Sequence, residues 1–215
     1  MSDSLRADHG SFRITQRMGG VALLCSAAFL VTAITLQFLR VDLDWQRATL
    51  SRYLLGPYGL WLRIMYCVLS LAIAVLAAGL YADLERRARS AAPLLLLAGG
   101  AVALSAVSIG DSWLPERAPD LHRFIHGLAA SSAFLLVSTG MVLQAWRFRG
   151  DAYWRRCFPL AFLWALACYA VLWLHVLWPP ASGAKVQKTL ILMIVLAMSA
   201  AAARLWLRPG RADVV

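Results

Sequence analysis

Residues 91–110 read AAPLLLLAGGAVALSAVSIG, twenty consecutive positions without a charge. An α-helix rises 1.5 Å per residue, so about 20 residues cover the roughly 30 Å hydrocarbon core of a bilayer. A strand of a membrane barrel would be about 10 residues long and would alternate in polarity; this stretch does neither. Working outward, five more runs meet the same criterion. Met18–Leu39 and Leu60–Tyr81 lie upstream; His122–Trp146, Cys157–Trp178 and Gln187–Leu207 lie downstream. The expectation is an all-α polytopic membrane protein: one bundle of six transmembrane helices over residues 18–207, with tails at 1–17 and 208–215. The first run is read as a span and not as a cleaved signal. It is longer than a signal's apolar core, and Gln37-Phe38-Leu39-Arg40 has no small-residue cleavage site.

Composition agrees. Of 215 residues, 61% are hydrophobic and 15% charged, against about 45–50% and about 25% in a soluble domain. That excludes a soluble globular domain, a disordered chain and a disulfide scaffold. The net charge of +10 would point to nucleic acid in a soluble protein. Here the basic residues sit at the ends of apolar runs, where membrane proteins keep them, so no nucleic-acid partner is expected. Only Lys185 and Lys188 of the 21 basic residues are lysine; that arginine bias fits a GC-rich, bacterial genome.

Thirteen of those 21 fall in the N-terminal tail, the second and fourth loops and the C-terminal end. The excess predicts that both termini face the cytoplasm of a multi-pass protein in the cell (inner) membrane. The basic loops LERRARS (84–90) and WRFRGDAYWRR (146–156) mix arginine with aromatic residues, as interface anchors do, and can grip anionic head groups. Cys25, Cys67, Cys157 and Cys168 all avoid the outer loops, so no outer disulfide framework is expected.

No ionisable side chain falls near a predicted midplane, which argues against an ion-coupled transporter and a channel of charged rings. Gly99 and Ala103 form a small-xxx-small step, and Ser105, Ser108 and Ser112 share a face, a pattern that lets helices approach closely. The polar residues collect on the outer side instead. In the first outer loop (40–63), Asp44 is expected to cap a short surface helix that Gly56-Pro57 ends, with Trp45, Tyr53 and Tyr58 at the interface. In the second, SIGDSWLPERAPDLHRFIHG (108–127), Asp111 ends the third span and Asp120 can cap the fourth.

His122 and His126 are four apart and so share a helical face. His175 lies near the outer end of the fifth span. Asp111, His122, His126 and His175 are therefore candidate metal ligands, because three protein ligands and an open position suit a catalytic zinc. Arg123 stands where the glutamate of a His-Glu-x-x-His motif would be, and a cation there opposes a second one. Other readings remain open. The same residues can simply bond the outer loops together; His126 and His175 can face each other across a haem; Arg52 or Arg63 can pair with Asp111. The candidate binding set is Ser51, Arg52, Tyr53, Arg63, Asp111, His122 and His126, as one pocket open to the outer side.

Two stretches carry a resemblance. Leu50-Ser51-Arg52-Tyr53-Leu54-Leu55-Gly56-Pro57-Tyr58-Gly59 before a span, and Gly110-Asp111-x-x-x-Pro115 followed by His122-x-x-x-His126-Gly127, resemble the signatures of a family of six-span prokaryotic membrane proteins of unknown function. The resemblance implies six helices and a shared outer-face site of Ser51, Tyr53, Gly56, Asp111, Pro115, His122 and His126; it implies no activity. The chain is also loosely similar to membrane hydrolases of the alkaline ceramidase kind, which hold zinc with Ser, Asp and His. Those carry the histidine pair in the last span; here it opens the fourth. Two functions follow as expectations. One is a component that binds a membrane lipid, a small molecule or a partner protein at its outer face. The other is a metal-dependent hydrolase of lipid-linked amides or esters.

Overall fold

Six long helices form because six apolar runs have no other way to satisfy their main-chain groups in hydrocarbon. The computed structural model describes residues 2–114, 116–177 and 183–209, with side chains from residue 12 onward. Pro115, Trp178 and the end of the C-terminal tail lie outside the described residues. The helices are α1 (Ser2–Leu39), α2 (Gly59–Asp83), α3 (Ala91–Trp113), α4 (Pro119–Phe148), α5 (Phe158–Leu177) and α6 (Gly183–Trp206). All six are long and apolar enough to cross a membrane. Among the described residues there is no strand. The chain is a six-span, multi-pass membrane protein.

Successive helices pack side by side, and α1 closes the ring against α6. Because six antiparallel crossings return the chain to its starting side, both termini share one end, where Gln16 Nε2 donates to the carbonyl of Arg208 at 2.7 Å. The core is apolar, with Phe29, Leu62, Leu76, Leu190 and Leu205 fully enclosed. The perimeter is apolar too: Leu24, Val31, Phe38, Leu95, Val102 and Leu163 are exposed, as a lipid-facing surface requires.

Lipid tails are as apolar as leucine, so burial alone does not drive helix against helix. Close approach does. α3 and α4 make the most extensive contact. A Cβ on Gly100 would lie 2.6 Å from Val137 Cγ2, whereas one on Gly99 would meet only Leu136, at 3.4 Å. The pressed glycine is therefore Gly100, the residue after the Gly99 that opens the predicted small-xxx-small step.

Several ends differ from expectation, since a helix continues while nothing stops it. α1 starts at Ser2, so the residues expected as an N-terminal tail are helical and continue into the first span. α3 continues to Trp113, and α4 starts with Pro119 in its first turn, where the missing N–H costs nothing. The link between them is thus shorter than the ten residues expected. Asp111 lies inside the last turn of α3. Asp120 is not a cap; it pairs with Arg123 within the first turn of α4. Nor does Asp44 begin a helix. Its Oδ1 accepts the N–H of Gln46 at 2.8 Å, closing a turn, and the short 3-10 segment Leu50–Leu54 starts after Thr49.

Candidate functional site

The polar cluster lies at the bundle end away from the termini. The last turn of α3 presents Asp111 and the first two turns of α4 present His122 and His126. The short link holds these helix ends together. The Asp111 side chain is only 2% exposed. Its Oδ1 lies 2.6 Å from His122 Nε2 and 2.9 Å from His126 Nδ1, so both imidazoles address one carboxylate oxygen. One ligand atom from each of the three residues falls within 4.8 Å of the others. That proximity fits a shared cation, with Asp, His and His as the donor set.

Arg63, on the first turns of α2, does not pair with the carboxylate. Its Nη1 donates to the main-chain carbonyl of Asp111 at 3.0 Å, while its Nε is buried without a partner among the described residues. The carbonyl of Arg63 in turn accepts from Ser108 Oγ at 2.6 Å. α2 and α3 are thereby stitched beside the cluster, and both carboxylate oxygens stay clear of arginine. Arg123 is also turned away: it is exposed and engaged with Asp120, so the expected repulsion of a cation by Arg123 is weakened by solvent and by that carboxylate.

Two cavities meet at this cluster. A polar cleft of about 450 Å³ is lined by Gly56, Arg63, Asp111, Ser112, Glu116 and Arg117, among others. On the other side, a narrow apolar cavity of about 70 Å³ runs into the bundle past His126, Ser51, Tyr66, Phe134 and Gln187. Asp111 belongs to the first and His126 to the second, and they are hydrogen-bonded to each other.

The loop between α1 and α2 forms the rim. Arg40, missed as a functional residue in the sequence, is almost wholly enclosed and organises the loop. Its Nε and Nη2 donate to the two oxygens of Asp42, each at 2.7 Å. Its Nη1 donates to the carbonyls of Leu55 at 2.7 Å and Pro57 at 3.1 Å. Gly56 has φ +75° and passes so close that a Cβ would sit 3.3 Å from Arg40 Nη2, which accounts for glycine in the Gly56-Pro57 step. The hydrogen bond from Arg40 holds the Asp42 carboxyl below its ordinary pKa, and the same bond raises that of Arg40.

Of the expected binding set, the structure gathers Asp111, His122, His126 and Arg63, with Ser51 on the cavity wall. Arg52 is exposed and stands apart. Tyr53 is fully buried and not interfacial; burial raises its pKa, and its hydroxyl has no partner among the described residues. His175 does not join the cluster. It sits on α5, whose main helix contacts are with α4 and α6, and its Nδ1 is buried without a partner among the described residues. Tyr66, beneath the cluster, is a wall residue that sequence reading did not single out; in an apolar helix nothing marks it.

Fold and site together define a helical membrane bundle with a buried acid–imidazole cluster at one end. The chain belongs to the family described as "Protein of unknown function (DUF998)", whose model matches residues 23–204. No curated protein and no solved structure matches, so the likeness to alkaline ceramidases gains no support from them.

Proposed function

We propose that this protein binds an amphiphile at the Asp111–His122–His126 pocket and that a divalent cation such as zinc is held there. The observation that carries this is the hydrogen-bonded Asp111–His126 pair standing between a polar cleft and an apolar cavity. A head group would occupy the cleft, near Arg63 and Arg117; an apolar chain would enter past His126. The apolar cavity is smaller than the roughly 150 Å³ that admits benzene, so it takes the tip of a chain and not its length.

The test uses a phospholipid with a photoreactive acyl terminus and the purified full chain. Labelling is expected on the segment around Ala130–Val137 and is expected to fall at least fivefold in Ala130→Phe, which plugs the cavity. Equal labelling of both proteins would refute the reading. Metal analysis should find one zinc per chain, lost in His126→Ala; metal-free wild type after zinc loading would remove the cation.

A second reading is favoured by the donor count. Asp, His and His leave a position open on a tetrahedral ion, where bound water can be activated. That supports a metal-dependent hydrolase of a lipid-linked ester or amide. Product release from a panel of such lipids, abolished by Asp111→Asn and by a chelator, tests it; no turnover by zinc-loaded protein on any of them leaves binding alone.

We further infer that the end bearing the termini faces the cytoplasm of a bacterial inner membrane, on the excess of arginine there. Cysteine at exposed Glu116 is expected to react with an impermeant reagent in intact cells and cysteine at exposed Arg87 is not. The reverse pattern inverts the protein.

A further inference from the structure

A second pocket lies at the opposite end of the bundle, between α4, α5 and α6. Its volume is about 480 Å³, within the roughly 300–1,000 Å³ of small-molecule sites. It is not a dent in the lipid-facing perimeter. Leu76 and Leu80 of α2 and Leu97 of α3 form its floor, and each is buried. The packing agrees with this: α5 makes its main helix contacts with α4 and α6.

Two polar side chains break the apolar wall. Gln144 is 7% exposed and lines the pocket, yet its Nε2 has no hydrogen-bond partner among the described residues. Arg204 lines the same pocket. Its Nη2 donates to the carbonyl of Tyr153 at 3.1 Å, but its Nε is buried and also unpartnered. Both orphan groups are donors. A buried donor without an acceptor costs about 1–3 kcal/mol, so a ligand that brings acceptor oxygens to these two groups would be stabilised by them.

Their depths differ in a useful way. Arg204 lies two residues before the end of α6, about 3 Å along the axis, and Gln144 four before the end of α4, about 6 Å. An anionic oxygen at the helix ends, a neutral carbonyl slightly deeper and a long apolar volume beyond follow the order of phosphate, ester and acyl chain in a glycerophospholipid.

We propose that this pocket holds one anionic glycerophospholipid, its phosphate on Arg204, an ester carbonyl on Gln144 Nε2 and one acyl chain over Leu76, Leu80 and Leu97. The site is separate from the Asp111 cluster and does not depend on what that cluster does.

The probe is dioleoylphosphatidylglycerol, titrated onto delipidated full-length protein in dodecyl maltoside and read by native mass spectrometry. One tightly retained lipid per chain is expected. Gln144→Leu and Arg204→Met are each expected to weaken retention about tenfold. Ala200→Trp fills the mouth from an exposed position that tolerates bulk, and should weaken it as much while the melting temperature stays unchanged. Inorganic phosphate at millimolar concentration should not displace the lipid. Retention unaltered in the polar variants, or unaltered by Ala200→Trp in folded protein, overturns the proposal. So does displacement by phosphate alone, which would make Arg204 a plain anion site.

Discussion

Asp111 and Asp151 are both buried, one at each end of the bundle, and they are built differently. Asp151, in the loop between α4 and α5, is 1% exposed. Its oxygens accept main-chain N–H groups of Glu85 at 2.9 Å, Tyr153 at 2.9 Å and Trp154 at 3.0 Å. Peptide donors cannot be titrated away and bind no metal, so Asp151 is a staple that ties two loops together. Asp111 is as deeply buried, but its partners are two imidazoles. Each imidazole can donate, accept or ligate. Depth of burial does not separate a structural carboxylate from a chemical one; the chemistry of its partners does.

The comparison breaks most visibly at Asp151. Asp151→Ala strands three main-chain donors, one of them fully buried, and a loss of about 3 kcal/mol is expected, measured as a large drop in melting temperature in detergent. A small drop would mean that water replaces the carboxylate there and that Asp151 is no staple.

Arg40→Met comes next. It removes four donated bonds from an enclosed guanidinium, and about 2 kcal/mol is expected, together with faster proteolysis of residues 40–58. The pH dependence has a definite sign. Asp42 has its pKa lowered by Arg40, so its contribution is complete above the ordinary carboxylate pKa and is lost as pH falls through the lowered one. The gap in melting temperature between wild type and variant should therefore shrink in acid; a gap that widens would contradict the pairing.

His126→Ala should be milder in stability, about 1 kcal/mol, because Asp111 keeps His122. The zinc proposed to sit there should be almost wholly lost in this variant. Stability loss as large as that of Asp151→Ala, with no zinc bound by wild type, would make the two aspartates alike. Arg123→Ala is the smallest, under about 0.5 kcal/mol, because its pairing with Asp120 is a surface one; a loss of zinc in that variant would place Arg123 in the site.

The six spans were legible because bilayer thickness is a length and apolar runs measure it directly. Their ends were not, since α3 runs past Gly110 into polar residues that helix geometry tolerates. Asp111, His122 and His126 could be grouped because they end two consecutive helices and the histidines share a period. His175 could not be placed, as every face of α5 is apolar. Tyr53 looked interfacial because tyrosine usually is; it is buried because its short 3-10 segment packs against α2 and α6. Asp151 was hidden among arginines: a loop rich in cations reads as membrane anchoring, and its three peptide donors are invisible before the loop is folded.

The glycine contact between α3 and α4 has a mechanical meaning. Gly100 lies eleven residues below Asp111, about 16 Å along the helix, and the Val137 it meets lies on the helix that carries both histidines. The two helices are the arms of a clasp pinned near its middle, with the carboxylate on one arm and the imidazoles on the other. A larger residue at Gly100 would act as a wedge at the pin and alter the gap between the tips. A bulkier residue at Gly100, which touches none of the three, is thus expected to change the separation of Asp111 from His122 and His126 without changing any atom that would hold a ligand.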